Sequence, residues 1–301
     1  MKHLQTCALL VFLLCACSAP ATPLPSPTAS EEPATEVSPT QTPAATAQPQ
    51  TEPISTVTVP SQKHAMESIE SLGFRVVMSY PHAIDAFTEG LVFVDGRLFE
   101  STGLKERSSL REVSLSNGNV LRKHDVAREY FGEGLALVGD ELVQLTWQEG
   151  VAFRYDRDSF AERGRWKYTG EGWGLAFDGA SLVMSDGSAQ IRFRNPHTFD
   201  VQRTITVTVA GRPLTQLNEL EYADGALWSN VWQTDAIARI DPQTGVVTGV
   251  LDLTTLWPAD QRPPDADVLN GIAFDSASGE FLVTGKFWPH VYRLAISKIS
   301  Q

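Results

Sequence analysis

Cysteine is absent beyond position 17: the three cysteines among the 301 residues are Cys7, Cys15 and Cys17. A disulfide framework and a cysteine zinc site are therefore excluded from the rest of the chain. Glycine is absent up to Leu72, and Lys and Arg are absent from residues 18–60. Basic residues are outnumbered, 24 Lys and Arg against 36 Asp and Glu, for a net charge of -12. A nucleic-acid partner needs a basic face to meet phosphates, and this balance argues against one. Long segments of helical period are missing, as are Gly-x-Ser-x-Gly, a phosphate-cradling glycine loop and His-Glu-x-x-His. His82, His124, His197 and His290 are scattered without metal-ligand spacing. They read as surface or hydrogen-bonded structural residues.

What is present falls into three segments. Residues 1–17 carry a short basic end, Lys2 and His3, and an apolar run from Cys7 to Ala16. The run is too short to span a bilayer comfortably and has the character of a signal-peptide core. It ends in Leu14-Cys15-Ala16-Cys17, which resembles the bacterial lipobox. The expectation is an exported protein, lipid-anchored through Cys17 at a bacterial cell envelope, with its domain outside the cytoplasm. Ordinary cleavage a few residues later is the alternative. Residues 18–60 hold ten of the 18 prolines, mixed with Thr, Ala, Ser and Gln. Such a stretch cannot build a core and favours extended polyproline conformations, so it reads as a disordered tether.

Residues 61–301 form the expected folded domain. A charged stretch around Lys63 to Leu72 is assigned a short helix. From Phe74 onward, runs of Val, Leu, Phe, Tyr and Thr alternate with Asp-Gly, Gly-Asp, Asn-Gly and Thr-Gly turn signals. That pattern is one of many short antiparallel strands, an all-β class. Five segments superimpose: EGLVFVDGRLFEST, EGLALVGDELVQLTW, WGLAFDGASLVMSDG, NELEYADGALWSNVW and NGIAFDSASGEFLVTGK. Their lead residues, Glu89, Glu133, Trp173, Asn218 and Asn270, lie 44, 40, 45 and 52 positions apart. A unit of about 45 residues with about four strands is a propeller blade. Five need roughly 225 residues, and residues 74–301 supply 228. The sequence thus predicts a five-bladed β-propeller in which FRVVMSY near the start completes the sheet of VYRLAI near the end.

In a propeller, equivalent positions converge around the axis. The five lead residues are expected to ring one mouth of the channel. A second ring is expected from Thr102, Trp147, Asp186, Trp232 and Lys286. Aromatic walls with a few convergent polar groups suit a small ligand. The alternative is that the tryptophans are packing between blades.

Several stretches carry a resemblance: AFTEGLVF, EYFGEGLALVGDELVQLTW, GEGWGLAFDG, LVMSDGS, LNELEY, NGIAFD and VTGKFWP, in order across residues 74–295. They resemble the plant-type glutaminyl-peptide cyclotransferases, which also occur in bacteria. The resemblance implies a five-bladed propeller that converts an N-terminal glutamine of a peptide or protein to pyroglutamate and releases ammonia, without a catalytic zinc or other cofactor. It implies Glu133 as the general acid/base and Asn218 as the group on the substrate's polar atoms. It implies a pocket of Phe87, Phe131, Trp147, Trp173 and Trp232, with Lys286 at its edge and Glu89 beside Glu133. Plant members commonly carry Gln where this chain has Glu89.

The residues suit that chemistry. The substrate's amine attacks its own side-chain amide, so the enzyme must orient a flexible chain and move a proton. A Glu among aromatic rings, with a second carboxylate nearby, has its pKa raised in a coupled titration. Two other readings stay open on fold alone: a calcium-dependent lactonase or esterase using the axial Glu and Asn side chains, and a non-catalytic binding propeller. PDADVLNG from Pro264 resembles a calcium loop faintly, which leaves a structural cation open. Nothing in the sequence points beyond a monomer.

Overall fold

The computed structural model describes residues 69–299; the signal segment, Cys17 and the tether lie outside the described residues. Among the described residues the chain is strand throughout, apart from turns, loops and one 3-10 turn at Ala259–Gln261. Three antiparallel sheets of four strands follow the chain in order. They are Thr88–Val94, Arg97–Thr102, Ser109–Val113 and Val120–Asp125; then Gly132–Val138, Glu141–Thr146, Val151–Asp156 and Glu162–Lys167; then Leu175–Phe177, Leu182–Met184, Gln190–Arg194 and Val201–Thr206. A small hairpin, Thr208–Val209 with Arg212–Pro213, follows.

The fourth sheet has eight strands. One half is Leu217–Ala223, Ala226–Val231, Ala236–Ile240 and Val247–Asp252. The other is Leu269–Asp275, Glu280–Gly285, His290–Lys298 and the opening strand Glu70–Pro81. The opening strand runs antiparallel to His290–Lys298, with Phe74 opposite Ile296 and Tyr80 opposite Val291, as its apolar pattern predicted. Its first residues also pair in parallel with Val247–Asp252, from Glu70 opposite Gly249 to Leu72 opposite Leu251. Residues 70–72 are therefore strand, not the end of a helix. Two neighbouring strands offer backbone partners there, and Leu72 is buried among apolar side chains. The remainder of the expected helix, residues 63–68, lies outside the described residues.

Alternating side chains on each strand bury one set between successive sheets. Phe99 and Leu110 of the first sheet pack with Leu135, Leu142 and Phe153 of the second. Leu145 and Ala152 of the second pack with Leu175 and Leu182 of the third. Ile191 and Phe193 meet Leu217, Leu227 and Ile240. Trp228, Ile237 and Leu251 meet Ile272, Phe281 and Val283. A fifth cluster joins Leu91, Leu98 and Val113 of the first sheet to Ala273, Leu282 and Val291 of the last. The layers therefore close on themselves, and sheet faces that would otherwise stay apolar and exposed are covered.

The innermost strand of each repeat sets the site. In four of the five, the pairing register shifts at the lead residue: between Thr88 and Gly90, Gly132 and Leu135, Leu217 and Leu220, and Leu269 and Ile272. Such a bulge adds a residue to one strand and re-aims its side chain. The bulges are pinned by the preceding repeat. Ser101 Oγ donates to the carbonyl of Glu133. Ser185 Oγ donates to the carbonyl of Asn218 at 2.7 Å. The Asn230 side-chain oxygen accepts the Gly271 N–H at 3.0 Å. Equivalent positions on the second strands thus hold equivalent points on the next first strands.

Candidate active site

Glu89 and Glu133, lead residues of the first two repeats, lie near each other. Both are buried, at 1% and 6% exposure. Lys286 Nζ donates to Glu89 Oε1 at 2.7 Å, and Asn270 Nδ2 donates to Glu89 Oε2 at 3.0 Å. Glu133 lies close enough to Glu89 for the charge of each to act on the other. Burial lifts the Glu89 carboxyl to about 7, against the pull of the Lys286 ammonium. Glu133 is pushed well above the usual carboxylate range, first by burial and then by the charge of Glu89, with Glu171 and Glu149 adding to it. Two carboxylates this close cannot both ionise readily. The Lys286 ammonium favours the ionised form of Glu89, and burial together with the facing charge of Glu89 favours the neutral form of Glu133.

Behind Glu89 lies a second polar layer. Thr88 Oγ1 donates to Glu100 Oε1 at 2.7 Å, and His82 Nε2 lies 2.9 Å from the same oxygen. Asn270 Nδ2 also donates to the Thr88 carbonyl at 2.9 Å. The backbone that carries Glu89 is therefore held through Thr88, by its hydroxyl on Glu100 and by its carbonyl on Asn270. Glu219, one residue past the lead position of its repeat, accepts the N–H groups of Leu91 at 3.3 Å and Ile272 at 2.7 Å. It fastens the inner strands of the first and last repeats two residues beyond Glu89 and Asn270. Asn218 is buried, and its side-chain Oδ1 has no hydrogen-bond partner.

Around the carboxyl pair stand aromatic rings. Phe287, Phe87, Phe131 and Trp147 contact one another in sequence, with centroids 5.2, 6.1 and 5.6 Å apart. Trp173 and Trp232 form a separate edge-to-face pair at 5.6 Å. Lys286 Nζ lies 4.4 Å from the Phe87 ring centroid. Phe87, Glu89, Phe131, Glu133, Trp147 and Lys286 are thus joined by contacts, and Trp173 and Trp232 by theirs.

The second ring is corrected by the register. Glu100, Gln144, Met184, Ser229 and Val283 stand opposite Leu91, Leu135, Leu175, Leu220 and Ile272. Trp147, Trp232 and Lys286 are three residues further on, and so are Gly103 and Gly187. Thr102 and Asp186 fall one residue short. Thr102 instead hydrogen-bonds Ser109 at 2.7 Å, and Asp186 is tied to Ser188 and Arg192. Four of the five carry the same backbone bond: the N–H groups of Gly103, Trp147, Trp232 and Lys286 donate to the carbonyls of Phe87, Phe131, Gln216 and Val268, while Gly187 N–H donates to the Leu217 carbonyl of the next repeat. The two glycines make room for rings. A Cβ on Gly103 would lie 2.4 Å from Phe131 Cε1, and one on Gly187 would lie 2.7 Å from Trp173 Cζ2. After this ring the chain turns sharply, and Leu104, Gln233 and Phe287 take left-handed φ values of 79°, 65° and 61°. Backbone of this kind is costly for residues with a side chain, and it concentrates at functional sites.

Sequence reasoning missed Phe287 and Glu171. Phe287 stands in the quoted VTGKFWP, directly after Lys286. Glu171 is the acid between two glycines ahead of Trp173. Among the described residues, no cluster of three His, Cys, Asp or Glu side chains is placed to hold a metal ion.

The chain matches the family model described as glutamine cyclotransferase over residues 50–296. It is 40% identical over 241 residues to a glutaminyl-peptide cyclotransferase of Arabidopsis thaliana, covering 79% of this chain and 74% of that protein. Its fold is similar to the crystal structure of Myxococcus xanthus glutaminyl cyclase, with a TM-score of 0.72 and 37% identity, covering 77% of this chain and 100% of that one.

Proposed function

The chain belongs to the glutamine cyclotransferase family and is a glutaminyl-peptide cyclotransferase, and from that premise we propose that Glu133 moves the proton the reaction requires. The peptide's α-amine nitrogen attacks the amide carbon of its own glutamine side chain. A C–N bond forms, a five-membered ring closes, the old C–N bond breaks, and ammonia leaves. The attacking nitrogen loses one proton and the leaving nitrogen gains one. A neutral Glu133 gives its proton to the leaving nitrogen, and its freed oxygen takes the proton of the amine. The carboxyl ends as it began.

The observation that carries this reading is the buried carboxyl pair itself, with Glu89 bonded by Lys286 and the Glu133 carboxyl pushed upward by burial and by the charge of Glu89. Phe87, Phe131, Trp147, Trp173 and Trp232 fold the side chain toward attack, an effect of orientation. Asn218 donates its amide N–H to the developing oxyanion. The incoming amine has an ordinary pKa of about 7.7–8.0 and must be neutral, so activity falls on the acid side.

The same reading covers the wider molecule. The architecture is a five-bladed propeller of residues 61–301, supported by five successive layers of core and by the opening strand completing the last sheet. The reaction needs no metal or cofactor. A calcium-dependent hydrolase would need Glu89 as a ligand, and both its oxygens already accept from Lys286 and Asn270. The enzyme acts as a monomer on peptides and proteins with N-terminal Gln. It is held to a membrane by a lipid on Cys17 and a proline-rich tether, outside the cytoplasm; the composition of residues 1–60 supports this.

Ammonia release by the full chain from a peptide beginning with Gln, with and without a chelator, tests the proposal. The expected rates agree within twofold. Release abolished by the chelator and restored by calcium would sink the metal-free mechanism.

A further inference from the structure

We propose that Glu171 is a positioning residue of the pocket, whose carboxylate joins two separate runs of aromatic rings into one wall sized for the glutaminyl side chain. Trp147 Nε1 donates to Glu171 Oε2 at 2.8 Å, and Trp173 Nε1 donates to the same oxygen at 3.0 Å. The other oxygen accepts from Gln148 Nε2 at 2.9 Å. Trp147 follows the second sheet and Trp173 opens the third, so the bridge spans the seam between them. On one side of the seam, ring contacts run from Phe131 to Trp147; on the other they run from Trp173 to Trp232. Glu171 is the link across it.

The carboxylate is itself held in place. Gly172 N–H donates to the Trp147 carbonyl at 2.8 Å. A Cβ on Gly172 would come 2.3 Å from Tyr168 Oη and 3.0 Å from the Thr146 carbonyl oxygen, so the backbone beside Glu171 lies pressed onto the second sheet. Without the acceptor, each half-buried indole N–H must turn toward water to be satisfied. That rotation would break the edge-to-face contacts and change the width of the pocket. Charge-assisted bonds to an ionised oxygen are the stronger kind, and one oxygen serving two donors fixes both rings relative to each other.

The inference rests on the pocket reading, and steady-state kinetics of the full chain on a Gln-peptide separates the two. E171A is expected to raise KM roughly tenfold or more while kcat stays within about threefold, because ground-state fit is lost and the proton path is not. E171Q keeps a carbonyl that accepts indole N–H groups, and it is expected to bring KM back to within about threefold of the parent. E171M fills the space without an acceptor and is expected to match E171A, which keeps the test intact if the alanine variant does not fold. A KM within twofold of the parent in E171A or E171M, or no restoration by E171Q, overturns the inference. If W173A also leaves KM unchanged, the pocket reading falls with it; if W173A raises KM and E171A does not, only the bridge falls.

Discussion

Glu133→Gln is expected to lower kcat for ammonia release by about 10²–10⁴, the usual range for removing a general acid/base. The amide is nearly isosteric, so the packing around the buried pair is kept. What it cannot do is give a proton to the leaving nitrogen and take one from the amine. KM is expected to change little, because the rings that orient the side chain are untouched. Thermal melting is expected to stay close to that of the parent, since a group neutral in the folded state is replaced by another neutral group. A kcat within tenfold of the parent, in folded protein, would remove Glu133 from the proton path. The leaving nitrogen would then have to be protonated by water or by another group.

The second large effect is expected on the fold. Gly174→Ala places a Cβ 2.1 Å from the Asn218 carbonyl oxygen and 2.8 Å from Glu219 Cα. Both are backbone atoms at the axis and cannot swing aside as a side chain can. Gly174 N–H donates to Ser185 Oγ at 2.7 Å, and that hydroxyl holds the Asn218 carbonyl, so the added methyl pushes on the bulge that aims Asn218. Overpacking of this sort costs about 3 kcal/mol or more. For a domain of this size each kcal/mol moves Tm by roughly 2–4 °C, so a fall of about 6–12 °C or a failure to fold is expected. Any folded fraction is expected to lose kcat through Asn218. A melting point within 2 °C of the parent would mean that the inner strands are not in backbone contact as described.

The repeat was legible in the sequence because turn signals and apolar strands recur at a nearly constant spacing. The lead residues were legible for the same reason, and Glu89, Glu133, Trp173, Asn218 and Asn270 all stand at equivalent points of the innermost strands. The second ring was legible only in part. Gly103 and Gly187 have no side chain to attract attention, so polar neighbours were read in their place. Counting five residues on from Leu98, Leu142, Leu182, Leu227 and Phe281 would have found the ring, since these residues stand in equivalent register. The reason for the glycines is tertiary: Phe131 and Trp173 occupy the space a side chain would need. Lys286 stands against Glu89, a partner that could not be read locally because it lies 197 residues away in sequence. The opening strand was misread at residues 70–72, where the backbone partners come from two distant strands.

The account turns on Glu133 holding a proton near neutral pH because it is buried and the charge of Glu89 faces it. The most direct test is the pH dependence of kcat for the parent and for Glu89→Gln. Activity needs Glu133 protonated, so the alkaline limb follows its ionisation. In the parent, an ionised Glu89 raises that pKa. In the variant the negative charge is gone while the pull of Lys286 remains, and the loss favours ionised Glu133. The predicted result is an alkaline limb displaced to lower pH, in an enzyme that remains active. An alkaline limb that stays in place, or moves upward, would contradict the account.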